Sequence, residues 1–343
     1  MLPTHPVHAV ETLLGELAKR SSSVLEKRFG LGKGGKRYTL EAIGKTYHIT
    51  RERVRQIERD GLMRIKKTAS YNKTLGLFDA LNKYIGEQGG VVAESAIVKA
   101  FADQGAEANY IRFLLTIAPG LHYRGEDDHF NDRWALGKEM LESAETGIMK
   151  TSKYIQSEGK LVTREEMLGL LARTMQTTAS SAPSGAALAS YLDISKNLDS
   201  NCFGQWGHAE SALVKPRGVR DMAYLVFKKE ERPLHFIEAA SLISNLITKK
   251  QVHAQTVHNE LIKDDRFVLV GRGTYGLAEW GYEPGTVRDI ISRTLKHAGP
   301  LSKDEVVTEV LGKRQVKANT ILINLQNKRY FKKLADGRYT ALV

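Results

Sequence analysis

The 343-residue sequence has a single cysteine, Cys202, so it can form no internal disulfide. That excludes a disulfide-framed secreted module and a thiolate metal centre, and it fits a reduced cytosolic compartment. Proline and glycine are not in excess, at 8 and 30 residues, and no long biased stretch occurs, so global disorder is not expected. No apolar run approaches the ~20 residues needed to cross a bilayer. The start, MLPTHPVHAVETLLGELAKR, has no basic stretch followed by an apolar one. No membrane partner is expected. The carboxylates show no pairing pattern and Cys202 has no recognisable partner, so no catalytic, metal or cofactor site is read and an enzyme is the least favoured class.

What is present in excess is positive charge, +12 overall. It is unevenly spread: the net is +9 over residues 1–74, −6 over 75–145, zero over 146–214, +3 over 215–282 and +6 over 283–343. The two basic ends are the candidate phosphate-facing parts, and the acidic block better suits protein or water.

Residues 30–37 read GLGKGGKR and satisfy most of the phosphate-loop pattern G-x-x-x-x-G-K-[ST]. Arg37, however, stands where that pattern supplies a hydroxyl to magnesium. The preceding SSSVLEKRF places Val24, Leu25 and Phe29 at helical spacing, whereas a phosphate loop comes after a buried strand. The spacing predicts an amphipathic helix ended by Gly30, and a joint that folds it back on the helices downstream. After the joint, TLEAIGKTYHITRERVRQIERDGLMRIKK gives Thr39 as an N-cap and Leu40, Ile43 and Tyr47 as one apolar stripe. A short turn at His48 and Ile49 comes next. Thr50 then caps a second helix carrying Val54, Ile57, Leu62 and Ile65 inward. This is a helix-turn-helix, whose second helix enters the major groove with its first residues on base edges. Those residues are Arg51, Glu52, Arg55 and Gln56. Arginine pairs with guanine, glutamine with adenine, and glutamate accepts from cytosine.

The run TLEAIGKTYHITRERVRQIER, with VLEKRFGL upstream, resembles region 4 of the sigma-70 family over roughly residues 10–70. The resemblance implies that Arg51, Glu52, Arg55 and Gln56 face the bases of a promoter −35 element in double-stranded DNA. It also implies that Thr39, Thr50 and Arg53 support phosphate contacts, and that the domain docks on the β flap of the RNA polymerase core. Nothing in the remaining residues looks like region 2, so a complete sigma factor is not expected.

The rest reads as a repeat array. KPRGVRD at 215–221 answers EPGTVRD at 283–289, and QVHAQTVHNEL at 251–261 answers QVKANTILINL at 315–325. Likewise RPL (232–234) answers GPL (299–301), and GTY (273–275) answers GRY (337–339). Each unit reads as three helices and a β-hairpin, a winged helix. The expected architecture is mainly α: a helix-turn-helix domain (1–74), an acidic winged-helix-like unit (75–145), a second with a loop at 177–187 (146–214), and two further winged helices (215–282 and 283–343). Trp134, Trp206 and Trp280 read as core plugs beside each closing strand. DDRFVLVGRGTYGLAEW in the fourth segment resembles the HARE-type winged helix of the RNA polymerase delta subunit, and the last segment is a weaker relative.

A second DNA contact is expected in the last unit, at Lys313, Arg314, Lys317, Asn319 and Thr320, with Lys328, Arg329, Lys332, Lys333 and Arg338 around the wing. His253, Gln255, Thr256 and His258 hold the corresponding place in the fourth segment, and Glu107, Asn109 and Arg112 in the acidic one. The expected function is transcription control by a region 4-like reader on promoter DNA or polymerase. A free repressor and a nucleoid-type structural DNA-coating protein are the alternatives.

Overall fold

The computed structural model describes residues 3–32, 34–102, 107–176, 183–314 and 316–342. The chain divides into two compact units, residues 1–200 with 204–209, and residues 201–203 with 210–343.

In the first unit, α1 (Pro6–Gly15) begins with proline in its first turn, where the missing N–H costs nothing. α2 (Lys19–Phe29) ends at Gly30, whose φ of 69° is the left-handed cap that glycine supplies without strain. A helix therefore precedes the GLGKGGKR loop, as the spacing of Val24, Leu25 and Phe29 predicts. Then come α3 (Leu40–Tyr47), α4 (Arg51–Ile65), α5 (Ala69–Lys73) and α6 (Leu75–Glu87). After them lie β1 (Val91–Ala93), α7 (Glu94–Phe101), α8 (Glu107–Ile117), β2 (His122–Arg124) and β3 (Arg133–Ala135), with strand order β1-β3-β2. The unit closes with α9 (Lys138–Glu158), α10 (Arg164–Gln176), α11 (Gly185–Ile194), β4 (Leu198–Ser200) and β5 (Trp206–His208).

The sequence divides this stretch at 74/75 and 145/146, but packing crosses both points. One apolar cluster joins Val10, Leu13 and Leu14 of α1 and Leu25 and Phe29 of α2 to Phe78 and Leu81 of α6 and Phe113 and Leu114 of α8. Helix α9 already begins at Lys138. The β1 backbone is held from α11, where Ser190 Oγ donates to the Val91 carbonyl at 2.8 Å. Of the expected loop at 177–187, residues 177–182 lie outside the described residues, and Ser184 caps α11.

The second unit contains α12 (Val219–Glu230), β6 (Leu234–His235), α13 (Phe236–Leu242) continued by a π-helical stretch (Ile243–Thr248), and α14 (Ala254–Lys263). β7 (Phe267–Gly271) and β8 (Thr274–Leu277) complete a sheet of order β6-β8-β7. The chain ends with α15 (Val287–Ala298), α16 (Lys303–Lys313), α17 (Ala318–Leu325), β9 (Phe331–Lys333) and β10 (Tyr339–Ala341). Each set encloses its own apolar cluster.

The matched sequence stretches occupy matched places. Leu234 pairs with Tyr275, and Leu301 bridges Tyr339. The short strand between first and second helices is absent from the architecture that the sequence predicts. At two residues, or one bridge, it is too short to show an alternating pattern. The repeated VRD diverges in use: Asp221 binds Arg266 at 3.0 Å, whereas Asp289 closes a capping box with Thr286. Trp134 is buried at 5% exposure, and Trp206 and Trp280 are half-buried against their clusters.

Candidate nucleic-acid interface

Thr39 Oγ1 accepts from the Ala42 amide at 3.2 Å and starts α3. The turn is built on Gly44. Its carbonyl accepts the amides of both His48 and Ile49, the latter at 3.0 Å, while His48 takes φ 53°. The turn passes so near α3 that a Cβ on Gly44 would lie 2.6 Å from the Ile49 carbonyl oxygen. Thr50 Oγ1 then accepts from the Arg53 amide at 3.2 Å and starts α4. The helix-turn-helix has a small cluster of its own, Val24, Ile43 and Val54, edged by Leu40, Tyr47, Ile49 and Ile57. The far end of α4 belongs to the larger core through Ile65.

Arg51, Glu52, Arg53, Arg55 and Gln56 lie on the first turns of α4, and all five are exposed. They engage one another. Arg55 Nε and Nη2 donate to the two carboxylate oxygens of Glu52 at 2.9 and 2.7 Å, and Arg53 Nη1 donates to Gln56 Oε1 at 3.0 Å. The Arg55 hydrogen bond holds the Glu52 carboxyl below its ordinary pKa. The Arg55 fork has the bidentate shape that guanine O6 and N7 accept, so a base edge can replace Glu52 one hydrogen bond for another. The hydroxyls of Thr39 and Thr50 use an acceptor lone pair for capping, which leaves each O–H free to donate to a phosphate.

Residues 13–67 match the family described as Sigma-70, region 4. That stretch is a sigma-70 region 4 domain. The chain is 42% identical over 60 residues to the RNA polymerase principal sigma factor HrdD of Streptomyces viridifaciens and to that of Streptomyces coelicolor. It is 46% identical over 57 residues to the RNA polymerase sigma factor SigA of a Bacillus species. These matches cover 18%, 18% and 17% of this chain and 18%, 18% and 15% of the relatives. The region 4 domain contains the whole helix-turn-helix and every base-reading candidate on α4.

The second expected contact set is split by the fold. Lys313 Nζ is paired with Glu283 at 2.8 Å. Arg314 is 9% exposed, donates to the Gly285 carbonyl, and burial holds its pKa below the ordinary value. Both side chains tie the start of the last segment to α16. Lys317, Asn319 and Thr320 are exposed at the start of α17, as are Lys328, Arg329, Lys332 and Lys333 beyond it. Arg338 is paired with Asp336 at 2.7 Å. In the fourth segment His253, Gln255 and Thr256 are at the surface, but His258 stacks on Phe236 with ring centres 4.4 Å apart. In the acidic segment Asn109 is buried against the GLGKGGKR loop and Arg112 pairs with Glu94 at 2.6 Å, so α8 faces the protein. Asn109 carries no sequence signal of that role, because its partners are backbone carbonyls far away in the chain.

Among the described residues, no group of three or more His, Cys, Asp or Glu could hold a metal ion. Among them, no helix is long and apolar enough to cross a membrane.

Proposed function

We propose that the chain is a DNA-binding transcription protein, sigma factor-like in its region 4 alone. Arg51, Glu52, Arg55 and Gln56 read −35-like promoter DNA, Thr39, Thr50 and Arg53 hold its backbone, and the same domain docks on the β flap of the bacterial RNA polymerase core. The protein acts in the cytoplasm, on the nucleoid. The observation that carries this reading is the self-paired polar start of α4 within a stretch that matches sigma-70 region 4. The segments 75–145, 146–214, 215–282 and 283–343 serve as winged-helix units, the third of HARE type. Supporting this is the order helix, short strand or bridge, helix, helix, hairpin. Their contribution is avidity for upstream DNA or a second polymerase surface, without new chemistry.

The test is a selection of bound sites from random duplex DNA with wild type and with Arg55→Ala plus Gln56→Ala. Each base-reading pair contributes ~1–3 kcal/mol, so the double variant should lose about thirtyfold or more in affinity for the selected site, and the consensus with it. No enriched sequence with wild type would sink the reading of bases by α4. Enrichment without polymerase co-purifying at low salt would remove the polymerase half and leave a free repressor. A steep salt slope without sequence preference would leave a DNA-coating protein.

The exposed basic set of the last segment contributes phosphate contacts. Residues 316–342 carry six basic side chains against the single carboxylate Asp336. Lys332→Glu with Lys333→Glu should reduce the slope of log affinity against log salt by about 2, with the preferred sequence unchanged. A titration at several salt concentrations measures both, and an unaltered slope would remove this segment from the DNA.

A further inference from the structure

A continuous hydrogen-bonded chain runs from β3 to the loop that precedes the helix-turn-helix. Trp134 Nε1 donates to Glu94 Oε2 at 3.1 Å, and Glu94 Oε1 accepts from Arg112 Nε at 2.6 Å. Arg112 Nη1 donates to Asn109 Oδ1 at 3.2 Å. Asn109 Nδ2 then donates to the carbonyls of both Gly30 and Gly35, at 3.0 and 2.9 Å. Asn109 is only 6% exposed. Its two ends meet opposite chemistry, a cation at the acceptor and two carbonyls at the donor, so the amide has one satisfied orientation.

We infer that Asn109 and the hydrogen-bonded residues behind it, Arg112, Glu94 and Trp134, form a positioning element for the DNA reader. This role rests on the DNA reading proposed for α4. The reading end of α4 is joined to α2 and α3 by a small cluster, Val24, Ile43 and Val54 edged by four half-buried residues, and by the Arg28–Glu58 ion pair at 3.3 Å, while the larger core grips its other end. The direction of α4 therefore depends on how α2 hands the chain to α3. That passage is closed on itself. Leu31 N donates to the Glu26 carbonyl at 2.8 Å, and Tyr38 N donates to the Lys27 carbonyl at 2.9 Å, one residue before the Thr39 cap. Asn109 gathers the Gly30 and Gly35 carbonyls onto one amide. The fit at Gly30 admits only glycine: φ is 69°, and a Cβ would lie 2.7 Å from the Gly35 carbonyl oxygen and 2.8 Å from Asn109 Nδ2. Without the amide, two carbonyls lose their donor and the passage is free to open.

The test compares wild type, Asn109→Ala and Arg112→Gln in the full chain. Hydrogen exchange is read at Leu31, Gly35 and Tyr38, with the amides of α12 to α17 as internal reference. DNA affinity is read on the site selected by wild type and on an unrelated duplex. Asn109→Ala should speed exchange at the three amides about tenfold or more, the equivalent of losing about one or two net hydrogen bonds. It should weaken the selected site about tenfold while leaving the unrelated duplex and its salt slope unchanged, because the phosphate contacts are intact. Arg112→Gln should act in the same direction and less. Wild-type exchange at these amides in Asn109→Ala overturns the tether, and wild-type discrimination between the two duplexes overturns the positioning role. If Asn109→Ala loses protection throughout residues 6–135, Arg112→Gln carries the same two readings. Should wild type select no site, the DNA reading fails by itself, and exchange alone then decides the tether.

Discussion

Gly44→Ala should destabilise the helix-turn-helix and weaken DNA binding, although helix propensity predicts the reverse. An alanine inside a helix is favoured over glycine by ~1 kcal/mol. Against that stands the turn: a Cβ on Gly44 would lie 2.6 Å from the Ile49 carbonyl oxygen, a backbone atom that no side-chain rotation removes. The same turn is fixed by two amides on the Gly44 carbonyl and by the left-handed His48, so it cannot shift without losing them. Overpacking of this kind costs ~1–3 kcal/mol in a well-packed core. Here the cluster beneath is small, three buried residues edged by four half-buried ones, and Ile49 of the turn is itself one of those four. The expected net is a loss of up to about 2 kcal/mol of stability with a larger loss of site affinity, since Thr50 and the start of α4 move with the turn. Denaturant unfolding and a titration of the selected site measure the two. A variant more stable than wild type by ~1 kcal/mol would show that propensity wins and that the turn yields.

The helix-turn-helix is legible in the sequence because its signals are local. Thr39 and Thr50 announce their helices, and Val54 and Ile65 keep their spacing on the buried side of α4. The proposed readers Arg51, Glu52, Arg55 and Gln56 stand at the surface, as their place after the turn implies, but the pairing of Arg55 with Glu52 and of Gln56 with Arg53 is a three-dimensional fact about rotamers. The hairpins of the last two segments are legible from matched tyrosines, and Tyr275 and Tyr339 do pair across them with Leu269 and Lys333, whereas their further pairing with Leu234 and Leu301 left no sequence signal. The sequence does not say which helix packs on which. The apolar stripes of α1, α2, α6 and α8 are each ordinary amphipathic faces, and composition shifts at 74/75 while their shared core does not. Charge misleads for a similar reason. Arg314 counts as a cation in a basic run, yet its guanidinium is turned inward to the Gly285 carbonyl, and Lys313 is held by Glu283.

Arg133→Met should cost the first unit about 3 kcal/mol, a fall in its unfolding temperature of about 6–12 °C. Among the described residues Arg133 is the largest fully buried side chain, and its guanidinium binds four groups. Nε donates to Glu145 at 2.6 Å, Nη2 to Asp127 at 2.8 Å, and Nη1 to the carbonyls of Gly125 and Asn131 at 3.0 and 2.9 Å. Methionine fills much of the volume but strands both carbonyls and an acceptor on Glu145. Removing one partner of a buried pair costs ~3–5 kcal/mol, and the lower end applies because Arg124 also binds Glu145 and the His129 and Phe130 amides also bind Asp127. The effect has a pH signature. Burial pushes the Asp127 carboxyl up, but Arg133 and the two amides outweigh it and hold the pKa below the ordinary 3.8. A depressed carboxyl contributes stability above its unfolded pKa and loses it as pH falls through the folded one. The gap between wild type and Arg133→Met should therefore be full near neutrality and narrow below about pH 4. Thermal unfolding at several pH values measures it, and a gap independent of pH would mean that Asp127 contributes nothing through Arg133. Well below its unfolding temperature the variant should still select the wild-type DNA site, since Arg133 lies outside the hydrogen-bonded chain that ends at Asn109. A changed site preference in Arg133→Met would instead mean that general loosening of the unit is enough to misplace the reader.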